Sequence, residues 1–403
     1  MPFSLLSSGS NAHGQLSNGT LDDSHKFTAC IFTHDSCSSS ESSKILHIAS
    51  GANHTLLLSE EATSTSTGAR RHIWGCGDGS AGQLGNLWRE KKKDETILQK
   101  HGLDGYQPRL ICASWETSYV VLSCEERPDV LISMGSNDFG DLGVGPVRTK
   151  KLFHIVQFNH LHVDGLVLDG DSMQVISVAA GQHHVMARIP RPAQRRVPPP
   201  YSDPEQVSIP SQDHRNTKCD PVISFALGTQ HSILHHQTGR LSCLGSNKKA
   251  QMTNLDSDAF RDVSFVGCTW NGTYFLDGPV LYATGSHSKG QLGRRVISSE
   301  PHPVEFPFDI STREELKKIA CGSEHVLALR LEAGADGDSP PEVWGWGWNE
   351  HGNLGLGMTS DVHTPTKLWP VASGAQETET MGFKAVGIWA GCGTSWIALE
   401  KEA

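Results

Sequence analysis

Two short motifs alternate along this chain, and their recurrence limits the possible folds more than any other property. One is an extended segment ending in Gly, followed by four residues and then Gly-Gln-Leu-Gly or a variant. It starts at Gly9 (GSNAHGQLS), Gly77 (GDGSAGQLG), Gly135 (GSNDFGDLG), Gly285 (GSHSKGQLG) and Gly347 (GWNEHGNLG), with a decayed copy at Gly245 (GSNKKAQMT). The other reads A-x-G-x-x-H before apolar residues and carries His54, His184, His231 and His325. Three further copies depart from it. ASWETSYVVL reads with Trp115 at the Gly position and Ser118 at the His position, CTWNGTYFL with Trp270 and Thr273, and AGCGTSWIAL with Cys392 and Ser395. Seven copies predict seven structural units, each large enough for a four-stranded blade.

The segments before the first motif, such as His72–Gly77 and Val343–Gly347, are short, apolar and bounded by Gly, while helical periodicity is nearly absent. Two residues before the motif Gly stand Ser7, Gly75, Ser133, Cys243, Ala283 and Gly345, all small. A small residue at one fixed strand position predicts close approach of a neighbouring sheet. An all-β chain must also dispose of its sheet edges, and a closed radial array does so. The predicted fold is all-β: a seven-bladed β-propeller formed by residues 1–403 as one domain. The chain begins with a first-motif strand and ends with a second-motif strand, so the two termini should complete one blade together. No first motif lies between His184 and His231, where residues 190–220 form a proline-rich insertion. Proline cannot donate to a ladder, so an irregular fourth blade with a partly disordered loop is expected there. Ser36–Ser43, Ser59–Gly68 and Arg89–Glu95 read as solvated loops.

Composition excludes general disorder: 37% of residues are hydrophobic and 41 are Gly. The net charge of −10 disfavours a direct nucleic-acid partner, and no run of about 18 apolar residues indicates a membrane span. Ten cysteines without a C-x-x-C pair or a signal peptide point to reduced thiols in the cytosol or nucleus. Gly77-Asp78-Gly79-Ser80-Ala81-Gly82 matches G-x-G-x-x-G, but the repeat signature follows it where a dinucleotide site needs a helix. The repeated histidines read as buried side chains bonded to backbone within their blades. His183-His184, His235-His236 and His160-x-His162 lack accompanying Cys or carboxylates, so no metal and no cofactor is expected. The basic cluster Arg188–Arg196 reads as a solvated loop.

At these motifs the chain resembles the regulator-of-chromosome-condensation repeat family of seven-bladed propellers. Its departures resemble a narrower group, the fungal alpha-tubulin suppressor family. They are the run Val343–Asn353, the ending Gly391–Leu399, and the Trp copies at 115 and 270. That likeness implies no enzymatic activity. It implies a scaffold or regulatory heterodimer with a small zinc-binding electron carrier of the diphthamide biosynthesis protein three type. Such a pair supports diphthamide synthesis and Elongator-dependent modification of the tRNA wobble uridine. An alternative, as for the founding member, is guanine-nucleotide exchange on a Ran-like small GTPase. A second is a hydrolytic enzyme at the ring mouth.

Ten tryptophans carry the remaining signal. Trp348 replaces Ser or Asp of the other copies in a turn beside Asn349, Glu350 and His351. Exposed Trp flanked by charge is the usual composition of an interface hot spot. The expected partner-binding residues are Trp348, Glu350, His351 and Trp396, with Trp115 and Trp270 either joining them or filling a wider junction between blades.

Overall fold

The computed structural model describes residues 3–32, 43–61, 69–85, 102–145, 152–158, 162–163, 166–167, 173–190, 220–310, 312, 315–331, 340–370 and 382–401. Consecutive antiparallel strands form separate sheets around one central cavity. Blade one comprises Ser43–Ser50, His54–Glu61 and Arg70–Gly77; blade two comprises Gln107–Ala113, Thr117–Cys124, Arg127–Gly135 and His154–Ile155. Blade three comprises Val222–Leu227, His231–His236 and Leu241–Gly245; blade four comprises Val263–Thr269, Gly272–Asp277, Val280–Gly285 and His302–Pro303. Blade five comprises Leu316–Cys321, His325–Arg330, Glu342–Gly347 and Val362–Trp369. Blade six joins the C-terminal strands Phe383–Ala390 and Thr394–Lys401 to the N-terminal strands Phe3–Gly9 and Ser24–Ala29. The joining ladder pairs Phe3 with Glu400 and continues without interruption to Gly9 with Thr394.

Among the described residues, the seven blades expected from the motif count are six. Between blades two and three, Ser177–Ala180 and Val185–Arg188 pair as a two-stranded ribbon. The ribbon comes from the repeat around His184, which lacks a first motif to supply a third strand. Its chain continues into Pro190 and the proline-rich insertion, which lies outside the described residues apart from its ends. The loops expected at Ser36–Ser43, Ser59–Gly68 and Arg89–Glu95, and the arginines beyond Arg188, also lie wholly or mostly outside them.

Strand register corrects the reading of the three departing copies. His54 pairs with Gly77, His231 with Gly245 and His325 with Gly347. Their equivalents are Thr117 (opposite Gly135), Gly272 (opposite Gly285) and Thr394 (opposite Gly9). Ser118, Thr273 and Ser395 thus lie one residue beyond the His position, and Trp115, Trp270 and Cys392 one beyond the Gly position.

That shift explains what the histidines do. Nε2 of His54 meets Ser118 Oγ at 2.8 Å, His184 meets Ser232 at 3.0 Å, His231 meets Thr273 at 3.1 Å, and His325 meets Ser395 at 3.0 Å. Each bond crosses to the next unit of the ring, so the expectation of backbone bonding within the blade is wrong. The imidazole lies over the motif Gly: a Cβ on Gly322 would fall 2.3 Å from His325 Cε1 and 2.6 Å from Gly391 O. Burial holds His54, His231 and His325 at about 4, well below the ordinary histidine value. They are neutral at pH 7 and exchange hydrogen bonds with hydroxyls.

The inner turns are also linked through backbone. Ala52 N donates to Trp115 O (2.9 Å), Trp115 N to Gln182 O (3.2 Å), Thr229 N to Trp270 O (2.9 Å), Trp270 N to Ser323 O (2.7 Å) and Ser323 N to Gly391 O (3.0 Å). This belt satisfies turn donors that would otherwise be buried without partners.

The first motif folds back on its own strand. Its Asn side chain accepts the Leu amide five residues on, as Asn11 does from Leu16 (3.0 Å) and Asn349 from Leu354 (2.8 Å). The Leu then covers the small residue: a Cβ on Gly75 would lie 3.2 Å from Leu84 Cδ2, and one on Gly345 3.1 Å from Leu354 Cδ2. The small positions thus accommodate the motif's own Leu rather than the face of a neighbouring sheet. After Gly77 come turns, not a helix, and Ser80 N bonds Asp78 Oδ1 at 2.8 Å. The G-x-G-x-x-G match is one of these turns.

Candidate functional site

Both motifs end at the same face of the ring, where the inner turns and the G-x-x-x-x-G turns lie together. Blade five contributes Trp348, Glu350 and His351. The Trp348 amide donates to Glu324 O at 2.9 Å, and its indole Nε1 donates to Glu350 Oε2 at 3.1 Å. The His351 ring stands edge-on to Trp348, with centroids 5.2 Å apart, and its Nδ1 lies 2.6 Å from Asp23 Oδ2 of blade six. Trp348 is half-buried and Glu350 exposed, so both present polar or aromatic edges to solvent. Beneath them Glu324 accepts Asn271 Nδ2 at 2.9 Å and a second bond from Gln291 Nε2. Burial pushes this carboxyl up, against those two bonds.

The tip position of the inner turns, one beyond the motif Gly, holds Ala52, Trp115, Gln182, Thr229, Trp270, Ser323 and Cys392. Trp115 and Trp270 come from blades two and four, yet their rings meet with centroids 5.7 Å apart. Both line the central cavity of about 440 Å³ at its mouth. Their large rings fill the tip positions where the other units have small or polar residues. The aromatic surface extends outward: Trp115 lies 6.5 Å from His183, which packs 3.9 Å from Phe139. Phe139 is 67% exposed, and His183 Nδ1 lies 3.6 Å from Asp141 Oδ2. Burial raises the Asp141 carboxyl, opposed by His183. The two aromatic groups approach each other through one turn. Gly391 and Cys392 line the cavity, and a Cβ on Gly393 would sit 3.3 Å from the Trp348 ring.

Of the expected residues, Trp348, Glu350 and His351 are together, and Trp115 and Trp270 form a second group over the cavity. Trp396 belongs to neither. It is 2% exposed, stands opposite Trp389 and Ser7 in blade six, and packs in a core with Leu5, Leu16 and Leu57. Its position two residues into a central strand aims it between sheets rather than at the face. Phe139 and Asp23 join the surface unexpected from the sequence, and so does His183, which the sequence marks only as one of a histidine pair without ligand partners. Phe139 and His351 occupy the same turn position of the first motif, which is the signal that could have found Phe139. Among the described residues, no three His, Cys, Asp or Glu side chains are grouped as metal ligands.

Comparison with known proteins agrees with this architecture. The model of the regulator of chromosome condensation (RCC1) repeat matches residues 280–329 and 342–395, so those two stretches are similar to RCC1 repeats. It is 26% identical over 406 residues to the secretion-regulating guanine nucleotide exchange factor of Mus musculus, covering 90% of this chain and 78% of that protein. It is 23% identical over 427 residues to an RCC1 repeat-containing protein of Schizosaccharomyces pombe, covering 99% of each. Among solved structures, human WBSCR16 superposes with a TM-score of 0.65 at 17% identity over 100% of both chains, a similarity of fold.

Proposed function

We propose that this chain is a non-enzymatic binding propeller that docks a small GTPase on its turn face and promotes release of the bound guanine nucleotide. The observation that carries a binding role is the gathering of partly exposed aromatics with charged neighbours on that face: Trp348, Glu350, His351, Phe139 and the Trp115–Trp270 pair. The relative named as an exchange factor, similar over nine-tenths of this chain, supports the partner class. Exchange makes and breaks no covalent bond. It requires only that the propeller bind the nucleotide-free GTPase more tightly than the loaded form, which shifts the population by differential affinity. An aromatic surface with a polar rim suffices for that, and no acid–base pair is required.

The direct test is release of a fluorescent guanine nucleotide from a panel of purified small GTPases. One member should release nucleotide at least tenfold faster with catalytic amounts of the chain. Trp348→Ala should weaken that GTPase's binding by about 2 kcal/mol, roughly 30-fold. A panel without acceleration defeats this reading.

The second reading is the heterodimer with a small zinc-binding electron carrier of the diphthamide type. It rests on the tryptophan-rich run Val343–Asn353, whose Trp348 edge reaches the surface. Co-purification of such a zinc protein, abolished by Trp348→Ala, would favour it over exchange.

A further inference from the structure

Away from the turn face, the cavity contains a charge that the binding role does not use. The residue seven before the motif His position falls at one level on the inner strands. It is His47 in blade one, Lys318 in blade five and Gly387 in blade six, which lies between them. A strand irregularity precedes it in each of these blades, between Ile45 and His47, Leu316 and Lys318, and Ala385 and Gly387. Because position 387 is Gly, the Trp389 ring lies over it: a Cβ there would meet Trp389 Cη2 at 2.6 Å. Trp389 then contacts both neighbours. Lys318 Nζ stands 3.9 Å from its ring centroid, and its Nε1–H donates to His47 Nδ1 at 3.2 Å.

Lys318 and His47 both line the cavity. Among the described residues, Lys318 is the only Lys, Arg, Asp or Glu that lines the cavity, and it forms no ion pair. Burial lowers the Lys318 ammonium to about 8, and His47, open to the cavity, accepts from Trp389 Nε1–H at Nδ1 in its neutral form. A neutral imidazole that accepts at Nδ1 carries its proton on Nε2. Apolar side chains among the lining residues include Ala49, Cys112, Val178, Phe225 and Phe265.

We propose that the central cavity binds a small organic carboxylate, its oxygens on Lys318 Nζ and His47 Nε2–H and its apolar body against Phe225 and Phe265. One cation matches one carboxylate; a phosphate or dicarboxylate would bury uncompensated charge. The volume of about 440 Å³ lies within the usual range for small-ligand sites. The cation–π contact with Trp389 holds the ammonium in place but supplies no counter-charge.

The test is isothermal titration calorimetry of the full chain with benzoate and with its neutral analogue benzyl alcohol. Saturable one-site binding of benzoate is expected, with benzyl alcohol at least tenfold weaker. Lys318→Met should weaken benzoate at least tenfold, while Lys318→Arg, which keeps the charge, should retain it within about threefold. Absence of saturable benzoate binding, or equal affinity for the two probes on the unaltered chain, overturns the proposal without reliance on any variant. Undiminished binding by a folded Lys318→Met protein also overturns it.

Discussion

Four imidazole–hydroxyl pairs join successive units of the ring, and their pattern shows how single residues set the assembly. Ser118, Ser232, Thr273 and Ser395 stand one residue past the His position in the four units that receive a histidine. The units that receive none have Val185, Val326 and Thr55 there. This alternation was legible in the sequence, but only with the register that pairs Thr117, Gly272 and Thr394 with the histidines. Aligning Trp115 with the motif Gly hides it, because the departing copies keep the turn length and change its residues. Ser395→Val should leave His325 Nε2 buried without a partner and cost about 1–3 kcal/mol, read as a lower urea midpoint at unchanged slope. Gly322→Ala should cost more, since its methyl meets both the His325 ring and the Gly391 carbonyl. The same histidines give the fold a pH dependence. Their folded values near 4 lie below the ordinary 6.5, so between those limits the unfolded chain binds more protons than the folded one. Stability is complete above about pH 6.5 and falls as pH drops towards 4. Calorimetric melting at pH 7 and pH 5 should show the loss, and His325→Gln should reduce it.

At the scale of elements, the turns are more predictable than the surface they form. The Asn and Leu of the first motif have fixed jobs: the Asn side chain accepts the Leu amide, and the Leu covers the small strand residue. Their sequence spacing is therefore their geometry. The binding surface has no such spacing, because its parts come from different blades. Trp115 and Trp270 are separated by 155 residues in sequence and meet only because the tip positions of the inner turns converge on one axis. Trp396 failed as a surface residue for the complementary reason. In a strand buried on both faces, side-chain direction alternates without a polar side to reveal it. The run Val343–Trp348 shows both outcomes: Trp346 is fully buried with Nε1 on Gln291 O at 2.9 Å, whereas Trp348, just beyond the strand, reaches solvent.

For the whole molecule, the described residues of the ring form six sheets of three or four strands and the ribbon, with a further short hairpin of His162–Val163 and Leu166–Val167, and this unevenness should govern where the ring opens. The ladder between Phe3–Gly9 and Thr394–Lys401 closes the circle, and its central residues Leu5, Leu6, Ile397 and Ala398 are all buried. The ribbon lacks such cover: every residue of Ser177–Ala180 and Val185–Arg188 is only partly buried. Blade two, its neighbour, has Val120, Val121, Leu122 and Ile132 fully enclosed. The ribbon does retain the His184–Ser232 and Arg188–Val222 bonds to blade three and the Trp115–Gln182 link to blade two, so it is held by single hydrogen bonds rather than by fully buried side chains of its own. Protection against hydrogen exchange follows the apolar cover of a cooperative unit. Native-state exchange should therefore find the amides paired between Val178 and Ala187 opening first, at free energies well below those of Thr117–Cys124 or Thr394–Lys401. Equal protection across all of these strands would mean that the ring opens only as a whole and that the ribbon is as firmly integrated as a full blade.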